Sequence, residues 1–159
     1  MDLAKASRDP WVWGQFLLIG IVLAGAPWAA RALAAGQAGA ALKFLGAVVL
    51  AAGLGLVARA GLALGPNLTP GVEPLPQGML VTDGVYALVR HPLYTGLIAG
   101  LTGYALLWGN WLVGLGAGLA ALLYFEGKAR AEERWLRQRF PAYEAYGERV
   151  PRIVPYGWK

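Results

Sequence analysis

Two long uninterrupted apolar runs limit what this chain can fold into. The first extends from Trp11 to about Leu33 and the second from Leu42 to about Leu64. A helix of about 20 apolar residues crosses the roughly 30 Å hydrocarbon core of a bilayer, so each run predicts a transmembrane helix. Of the 159 residues, 57% are hydrophobic and only 14% are charged, which excludes an ordinary soluble domain. Continuous runs predict an all-α integral membrane protein rather than a β-barrel.

The second half of the chain predicts a loop followed by a helical hairpin. Residues 65–84 carry four prolines and cannot form a continuous helix. Two shorter apolar segments, 93–108 and 111–125, flank Gly109-Asn110 and predict the arms of the hairpin, each covering roughly 24 Å as a helix. The charged residues 126–139 extend the second arm out of the lipid until Pro141 ends it. About four transmembrane helices are therefore expected.

The distribution of basic residues predicts the orientation of these spans. With four spans, twelve of the 14 Lys and Arg residues fall on one side, and only Arg31 and Lys43 fall on the other. The positive-inside rule then places both termini and Arg90 in the cytoplasm. The net charge of +5 suits anionic lipid headgroups, so no nucleic acid partner is expected.

We interpret the chain as a single membrane domain with four parts. These are two N-terminal spans (1–64), a cytoplasmic-side loop (65–92), the hairpin (93–125) and a cytoplasmic C-terminal helical segment (126–159). One domain is the usual count for a chain of this length.

The segment Arg90-His91-Pro92-Leu93-Tyr94-Thr95-Gly96 is the first candidate site, and it holds the only histidine. It lies where the proline-rich loop meets an apolar helix. Ionisable groups are costly at the edge of hydrocarbon, so a cluster of them there is a functional-site hypothesis. With one histidine and no cysteine in the chain, no metal site is predicted.

Two adjacent carboxylates, Glu132 and Glu133, form the second candidate site. Neighbouring side chains on a helix point about 100° apart, so the two groups can serve different partners. The alternative is ordinary surface ion pairing at four-residue spacing, Glu133 with Arg137 and Lys128 with Glu132.

A GxGxG pattern at residues 114–118 resembles the loops that bind nucleotides in soluble folds. Such a loop needs a preceding strand and a helix N-terminus, whereas this pattern lies inside an apolar helix. Gly114 and Gly118, like Gly96 and Gly100, have the spacing that lets transmembrane helices approach closely. We interpret these glycines as packing positions.

Several motifs together resemble the isoprenylcysteine carboxyl methyltransferase family, which is related to the phospholipid methyltransferases. They are residues 80–86 (LVTDGVY), the Arg-His-Pro-x-Tyr-x-Gly turn, the Glu-Glu pair, and Tyr-x-x-Tyr with Val-Pro-Arg, all within residues 65–155. The resemblance implies a membrane-embedded methyltransferase. It also implies that the hairpin and the C-terminal segment 126–159 enclose S-adenosylmethionine.

The resemblance and the chemistry of this cofactor together assign roles to nine residues. S-adenosylmethionine combines a sulfonium, an ammonium, a carboxylate and an adenine, so its pocket needs carboxylates, hydrogen-bonding groups and an aromatic or apolar slot. The expected cofactor-binding residues are Leu80, Val81, His91, Tyr94, Gly96 and Glu132, with Glu132 on the ammonium. The expected catalytic residues are Arg90 and Arg152, as anchors for a substrate carboxylate, and Glu133, as proton acceptor if the substrate is a lipid amine.

Simpler roles stay open for four of these residues. His91 is alternatively a helix-capping residue, Tyr94 an interfacial anchor, Arg90 a group that snorkels to lipid phosphate, and Arg152 a structural salt-bridge partner.

The methyl acceptor also stays open. We expect it to be a lipophilic small molecule or a prenylated substrate that is reached from the lipid bilayer.

Two other functions compete with that of a methyltransferase. A membrane reductase of the sterol-reductase type shares the Arg-His and Tyr-x-Gly elements and binds a nicotinamide cofactor, but it typically has Asn and an acidic residue where this chain has Leu93 and Leu97. The third possibility is a non-catalytic membrane scaffold, because fold does not fix function.

Overall fold

The protein folds into helices joined by short turns and one long loop. The computed structural model describes residues 9–155, so three basic residues of the orientation argument, Lys5, Arg8 and Lys159, lie outside the described part. The α-helices are α1 (Pro10–Ala32), α2 (Ala40–Leu64), α3 (Pro92–Leu106), α4 (Trp111–Arg139) and α5 (Tyr143–Arg149), with 3₁₀ helices at Gly65–Asn67 and Gly84–Ala87. No β-strand occurs within residues 9–155, where Gln37 and Asn110 form an isolated bridge. The predicted all-helical fold class is confirmed.

Three of these helices, α1, α2 and α4, are long and apolar enough to cross a membrane. Their outward side chains are large and hydrophobic, as in Trp28, Phe44 and Leu62, which are each more than 70% exposed. Such a surface suits hydrocarbon and not water. Helix α3 has only 15 residues and covers about 22 Å, less than the roughly 30 Å of hydrocarbon. The fourth predicted span therefore stays a prediction.

The charged extension of α4 follows the sequence prediction. The helix continues without a break from Trp111 through Phe125 to Arg139, and Pro141 lies just beyond its end. Proline disfavours helical conformation in the residue before it, which explains why the helix ends here. The Glu132-Glu133 pair is thus carried rigidly on the same helix that enters the apolar layer.

A tight turn joins α3 to α4 at the end of the molecule far from Glu132. Gly109 adopts a positive φ of 76°, which glycine tolerates without a steric penalty. The Asn110 side chain then caps α4 by accepting a hydrogen bond from the backbone N–H of Leu112 at 3.0 Å. Its amide also donates to the carbonyls of Leu33 and Ala35 at 3.3 and 3.0 Å, which fixes the hairpin turn to the α1–α2 connection.

Helices α2 and α3 cross at a contact made by glycines. A Cβ atom added at Gly53 would lie 2.5 Å from the backbone nitrogen of Gly100 and 2.7 Å from the carbonyl oxygen of Gly96. Only glycine permits so close a backbone approach, as in other small-residue contacts of membrane helices. The packing interpretation of Gly96 and Gly100 is supported by this contact.

The GxGxG pattern in α4 is also a packing surface. Added Cβ atoms at Gly114 and Gly118 would clash with the side chains of Leu106 and Thr102 on α3. The glycines therefore bring the two arms of the hairpin together.

The long loop folds back over the ends of the helices. Asp9 accepts a hydrogen bond from the Val72 backbone N–H at 2.9 Å, and Asn67 accepts one from that of Met79 at 2.9 Å. Arg139, at the end of α4, donates to the carbonyl of Pro76. These contacts hold residues 67–79 in place above α3 and α4.

Replacing Gly53 by alanine should destabilise the protein by about 1–3 kcal/mol, the usual cost of overpacking, because the new methyl group would meet backbone atoms that cannot move alone. The matched control is Gly55→Ala on the same helix, where an added Cβ meets nothing within 4 Å. Thermal unfolding in detergent measures both variants. Equal melting temperatures for the two would contradict the close crossing.

Candidate functional site

A cavity of about 350 Å³ lies between α3, α4 and the long loop, within the size range of small-molecule sites. Six of the nine predicted site residues line it: Leu80, Val81, Arg90, His91, Tyr94 and Glu132. Apolar side chains make up most of the remaining wall, with Leu93 and Leu97 on α3 among them. The cavity therefore offers a few charged and polar groups on an otherwise apolar surface.

Glu132 presents the one carboxylate of the cavity wall within the described chain. Its Oε2 accepts a hydrogen bond from the Tyr94 hydroxyl at 2.7 Å and lies 3.5 Å from His91 Nδ1. The side chain keeps 25% of its surface exposed, so it has room for a further partner. Two aromatic groups thus orient a carboxylate that faces the cavity.

These aromatic groups belong to a stack that begins at the start of α3. The rings of His91 and Tyr94 are parallel, with centroids 5.3 Å apart, and the Tyr94 ring lies 5.1 Å from that of fully buried Phe125. His91 is the N-cap residue of α3, but its side chain makes no capping hydrogen bond, so the capping alternative is wrong. Tyr94 is buried rather than placed as an interfacial anchor.

Glu133 points away from the cavity into a cluster of cations. Its Oε1 lies 2.9 Å from Arg90 Nε and 3.0 Å from Arg152 Nε, and 3.3 Å from His91 Nε2. Its Oε2 accepts a second hydrogen bond from Arg152 at 3.1 Å. The predicted alternative partner Arg137 lies at 3.7 Å, on the outer side. One carboxylate with a 2% exposed side chain thus gathers groups from three parts of the chain.

The C-terminal segment is fixed to the start of α3 by backbone contacts beside this cluster. The Arg90 N–H donates to the carbonyl of Pro151 at 2.8 Å, and the His91 N–H donates to that of Arg152 at 2.9 Å. The Arg90 guanidinium also donates to the carbonyl of Val150. Residues 150–152 are therefore held against Arg90 and His91, behind the cavity wall.

Three predicted site residues do not line the cavity. Gly96 faces Gly53 and Val57 of α2, so its missing side chain serves helix packing and not cofactor approach. Glu133 and Arg152 are bound to each other behind the wall, which is the salt bridge offered as the alternative for Arg152. The predicted contact of these three residues with a ligand has no support in this arrangement.

Arg90 lines the cavity, but its donors are already in use. The side chain contacts Glu133 through Nε and Nη2 and the carbonyls of Gly147 and Val150 through Nη1. At 4% exposure Arg90 does not snorkel to lipid phosphate, so that alternative is wrong. Its predicted role as an anchor for a substrate carboxylate is likewise not supported.

The sequence did not identify two polar residues of the cavity wall as site residues. Gln15 is buried near the start of the first apolar run, and Lys128 is buried in α4 with 1% exposure. Lys128 does not form the ion pair with Glu132 that was the alternative interpretation; it donates to Gln15 Oε1 and to the carbonyl of Pro70. A glutamine inside an otherwise apolar span was a signal that could have identified Gln15.

The sequence profile of the phospholipid methyltransferase family matches residues 41–143, well over half of the chain. The chain belongs to this family. It is also 38% identical over 78 residues to protein-S-isoprenylcysteine O-methyltransferase of Schizosaccharomyces pombe, covering 48% of this chain and 33% of that protein. The cobalt-zinc-cadmium resistance protein CzcN of Cupriavidus metallidurans is 36% identical over 76 residues, covering 48% of this chain and 35% of that protein.

A solved structure shares the fold of this family member. The eukaryotic intramembrane Ras methyltransferase, isoprenylcysteine carboxyl methyltransferase, matches with a TM-score of 0.68 and 32% identity, covering 74% of this chain and 44% of that chain. The resemblance to the isoprenylcysteine carboxyl methyltransferase family is thereby confirmed. This chain spans about a third of the length of the S. pombe and C. metallidurans relatives.

The charges around His91 in this phospholipid methyltransferase family member favour its protonated form. Burial lowers the pKa of His91, but hydrogen bonds to Glu132 and Glu133 outweigh this effect, so the pKa lies above the ordinary value of 6.5. With His91 protonated, Arg90, His91 and Arg152 are all cations in contact with Glu133, and His91 also contacts the carboxylate of Glu132.

The raised pKa of His91 predicts a pH-dependent stability. Its stabilising contribution is fully present below the unfolded-state pKa near 6.5 and is lost as the pH rises through the higher folded-state pKa. The melting temperature should therefore fall as the pH is raised above 6.5. In His91→Gln this part of the pH dependence should disappear. A parallel pH profile for the variant would contradict the assignment.

Replacing Glu133 by glutamine should destabilise the protein by about 3 kcal/mol or more, because Arg90 would keep its buried charge without a counter-ion and Arg152 would keep only Glu126. Thermal unfolding in detergent measures the loss. The neighbouring variant Glu132→Gln is the matched control, since its side chain is partly exposed and holds no arginine. A stable Glu133→Gln protein would show that the cluster is not a structural requirement.

Proposed function

We propose that this protein transfers a methyl group from S-adenosylmethionine to a lipophilic substrate at the cytoplasmic face of a membrane. The observation that carries the proposal is the oriented carboxylate of Glu132 in a mostly apolar cavity beside the membrane-length helices. Membership of the phospholipid methyltransferase family and likeness to isoprenylcysteine methyltransferases support it.

The residues around the cavity fit S-adenosylmethionine. Glu132 supplies the negative charge that its ammonium requires, and Tyr94 and His91 hold that carboxylate in place. Tyr143 also lines the cavity, and its buried hydroxyl lies near Glu133 with no hydrogen-bond partner at bonding distance among residues 9–155. Leu80 and Val81 of the loop offer backbone groups for the adenine edge.

Methyl transfer requires little acid–base chemistry from the protein. The bound cofactor supplies an electrophilic methyl group, and the chain's task is to align the substrate and keep water away. Apolar side chains such as Leu93 and Leu97 on α3 exclude water from the cavity wall, and residues 67–81 cover the cavity. Binding in a fixed geometry accounts for the catalytic effect in this proposal.

The arrangement favours a substrate that is already ionised. Glu133, the predicted proton acceptor for a lipid amine, is bound to Arg90 and Arg152 and does not line the cavity. A carboxylate such as that of an isoprenylcysteine needs no general base. We therefore propose a lipophilic carboxylate as methyl acceptor, entering laterally from the bilayer while the cofactor enters from the cytoplasm.

Replacing Glu132 by glutamine should weaken binding of S-adenosylmethionine at least tenfold, because a charge-assisted hydrogen bond is lost, while the melting temperature changes little. Calorimetric titration of the detergent-purified protein measures the affinity, with S-adenosylhomocysteine as second ligand. Arg130→Met, at an exposed position of α4, is the control for charge changes on this helix.

Three results would oppose the proposal. Unchanged affinity in Glu132→Gln would remove this residue from the cofactor site. Binding of NADPH without S-adenosylmethionine would indicate the reductase, and binding of neither would indicate the non-catalytic scaffold.

A further inference from the structure

Lys128 is a buried cation whose partners carry no charge. Its ammonium donates to the side-chain oxygen of Gln15 and, at 2.8 Å, to the carbonyl of Pro70. It also lies 5.5 Å from the centre of the Tyr94 ring. Within residues 9–155 it forms no ion pair with a carboxylate. A charge buried in this way is costly unless a counter-ion reaches it.

Lys128 lines the cavity wall with 1% of its surface exposed. An ammonium has three N–H donors, and the contacts with Gln15 and Pro70 use two of them. One donor therefore remains for a ligand.

The other cations near the cavity cannot take this role. Arg90 is bound to Glu133 and to two backbone carbonyls, and Arg152 is bound to Glu126 and Glu133. Either arginine would have to leave a buried carboxylate before it could bind a second one, which would expose that carboxylate to the full cost of burial without a partner. Lys128 would not have to leave a charged hydrogen-bond partner in order to bind a carboxylate.

We propose that Lys128 is the carboxylate-binding group of this cavity. Lys128 and Glu132 lie one helical turn apart on the same face of α4, but they do not form a direct ion pair with each other. The pair therefore presents a cation and an anion side by side, which is the pattern that complements the zwitterionic end of an amino acid.

Two carboxylates suit this position, and the inference rests on the proposed function for both. One is the carboxylate of the methionyl end of S-adenosylmethionine, whose ammonium binds Glu132. The other is the carboxylate of the lipophilic methyl acceptor. The two sources are separable because each has an available counterpart without the free carboxylate.

The test compares wild type, Lys128→Met and Lys128→Arg in detergent or nanodiscs. In the cofactor arm, calorimetric titration gives Kd for S-adenosylmethionine and for decarboxylated S-adenosylmethionine. In the substrate arm, it gives Kd for N-acetyl-S-farnesylcysteine and for its methyl ester. Wild type should prefer the carboxylate form at least tenfold in one arm. Lys128→Met should lose that preference in the same arm, and Lys128→Arg should retain most of it.

Gln15→Leu and Arg130→Met serve as controls. Gln15→Leu removes a neutral partner and leaves the ammonium, so the carboxylate preference should persist. Arg130→Met removes an exposed charge from the same helix and should change neither ligand pair. Melting temperatures establish that each variant is folded, and Lys128→Arg keeps the test valid if the methionine variant does not fold.

The results distinguish this inference from the proposed function. If Lys128→Met weakens the carboxylate and non-carboxylate ligands equally, Lys128 only holds the loop to α1 and the inference is overturned. Equal affinities of all folded Lys128 variants for every ligand overturn it too. If wild type binds neither form of the cofactor, the proposed function fails. In that case the substrate arm alone tests the role of Lys128. Equal affinities of the wild type for the acid and for the methyl ester would then overturn the assignment of Lys128 as the carboxylate-binding group.

Discussion

The rest of the site depends on the ion cluster around Glu133. This buried carboxylate joins the start of α3, the charged half of α4 and the C-terminal segment, through Arg90, His91 and Arg152. Buried charges are costly when one partner is missing, so the three segments are stable only when they are assembled together. The cavity exists because this assembly places α3 and residues 150–152 at fixed positions beside α4.

Helix geometry gives the two adjacent glutamates different tasks. Side chains next to each other on α4 point about 100° apart, so Glu133 reaches the cation cluster while Glu132 faces the cavity. His91 contacts both carboxylates and links the structural group to the binding group. One carboxylate therefore holds the site together, and the other faces the cavity.

Much of the fold could be predicted from local sequence signals. Continuous apolar runs, four prolines in residues 65–84 and the proline after α4 defined the elements to within about two residues. The pairing of Glu133 with Arg90, His91 and Arg152 could not be predicted, because it depends on contacts between residues 19 to 43 positions apart. The packing of Gly96 against α2 could not be predicted either, because spacing alone does not show which side of α3 contacts another helix.

The hydrogen bonds of Asn110 make the hairpin-turn end of the molecule different from the cavity end. At the hairpin turn, neutral hydrogen bonds from Asn110 to Leu33 and Ala35 hold α1, α3 and α4 together. At the cavity end, α3 and α4 are joined mainly by ionised groups. Acid and base change the charge of ionisable groups and leave amide contacts almost untouched. A change of pH therefore acts on the contacts at the cavity end and leaves the contacts of Asn110 at the hairpin turn as they are.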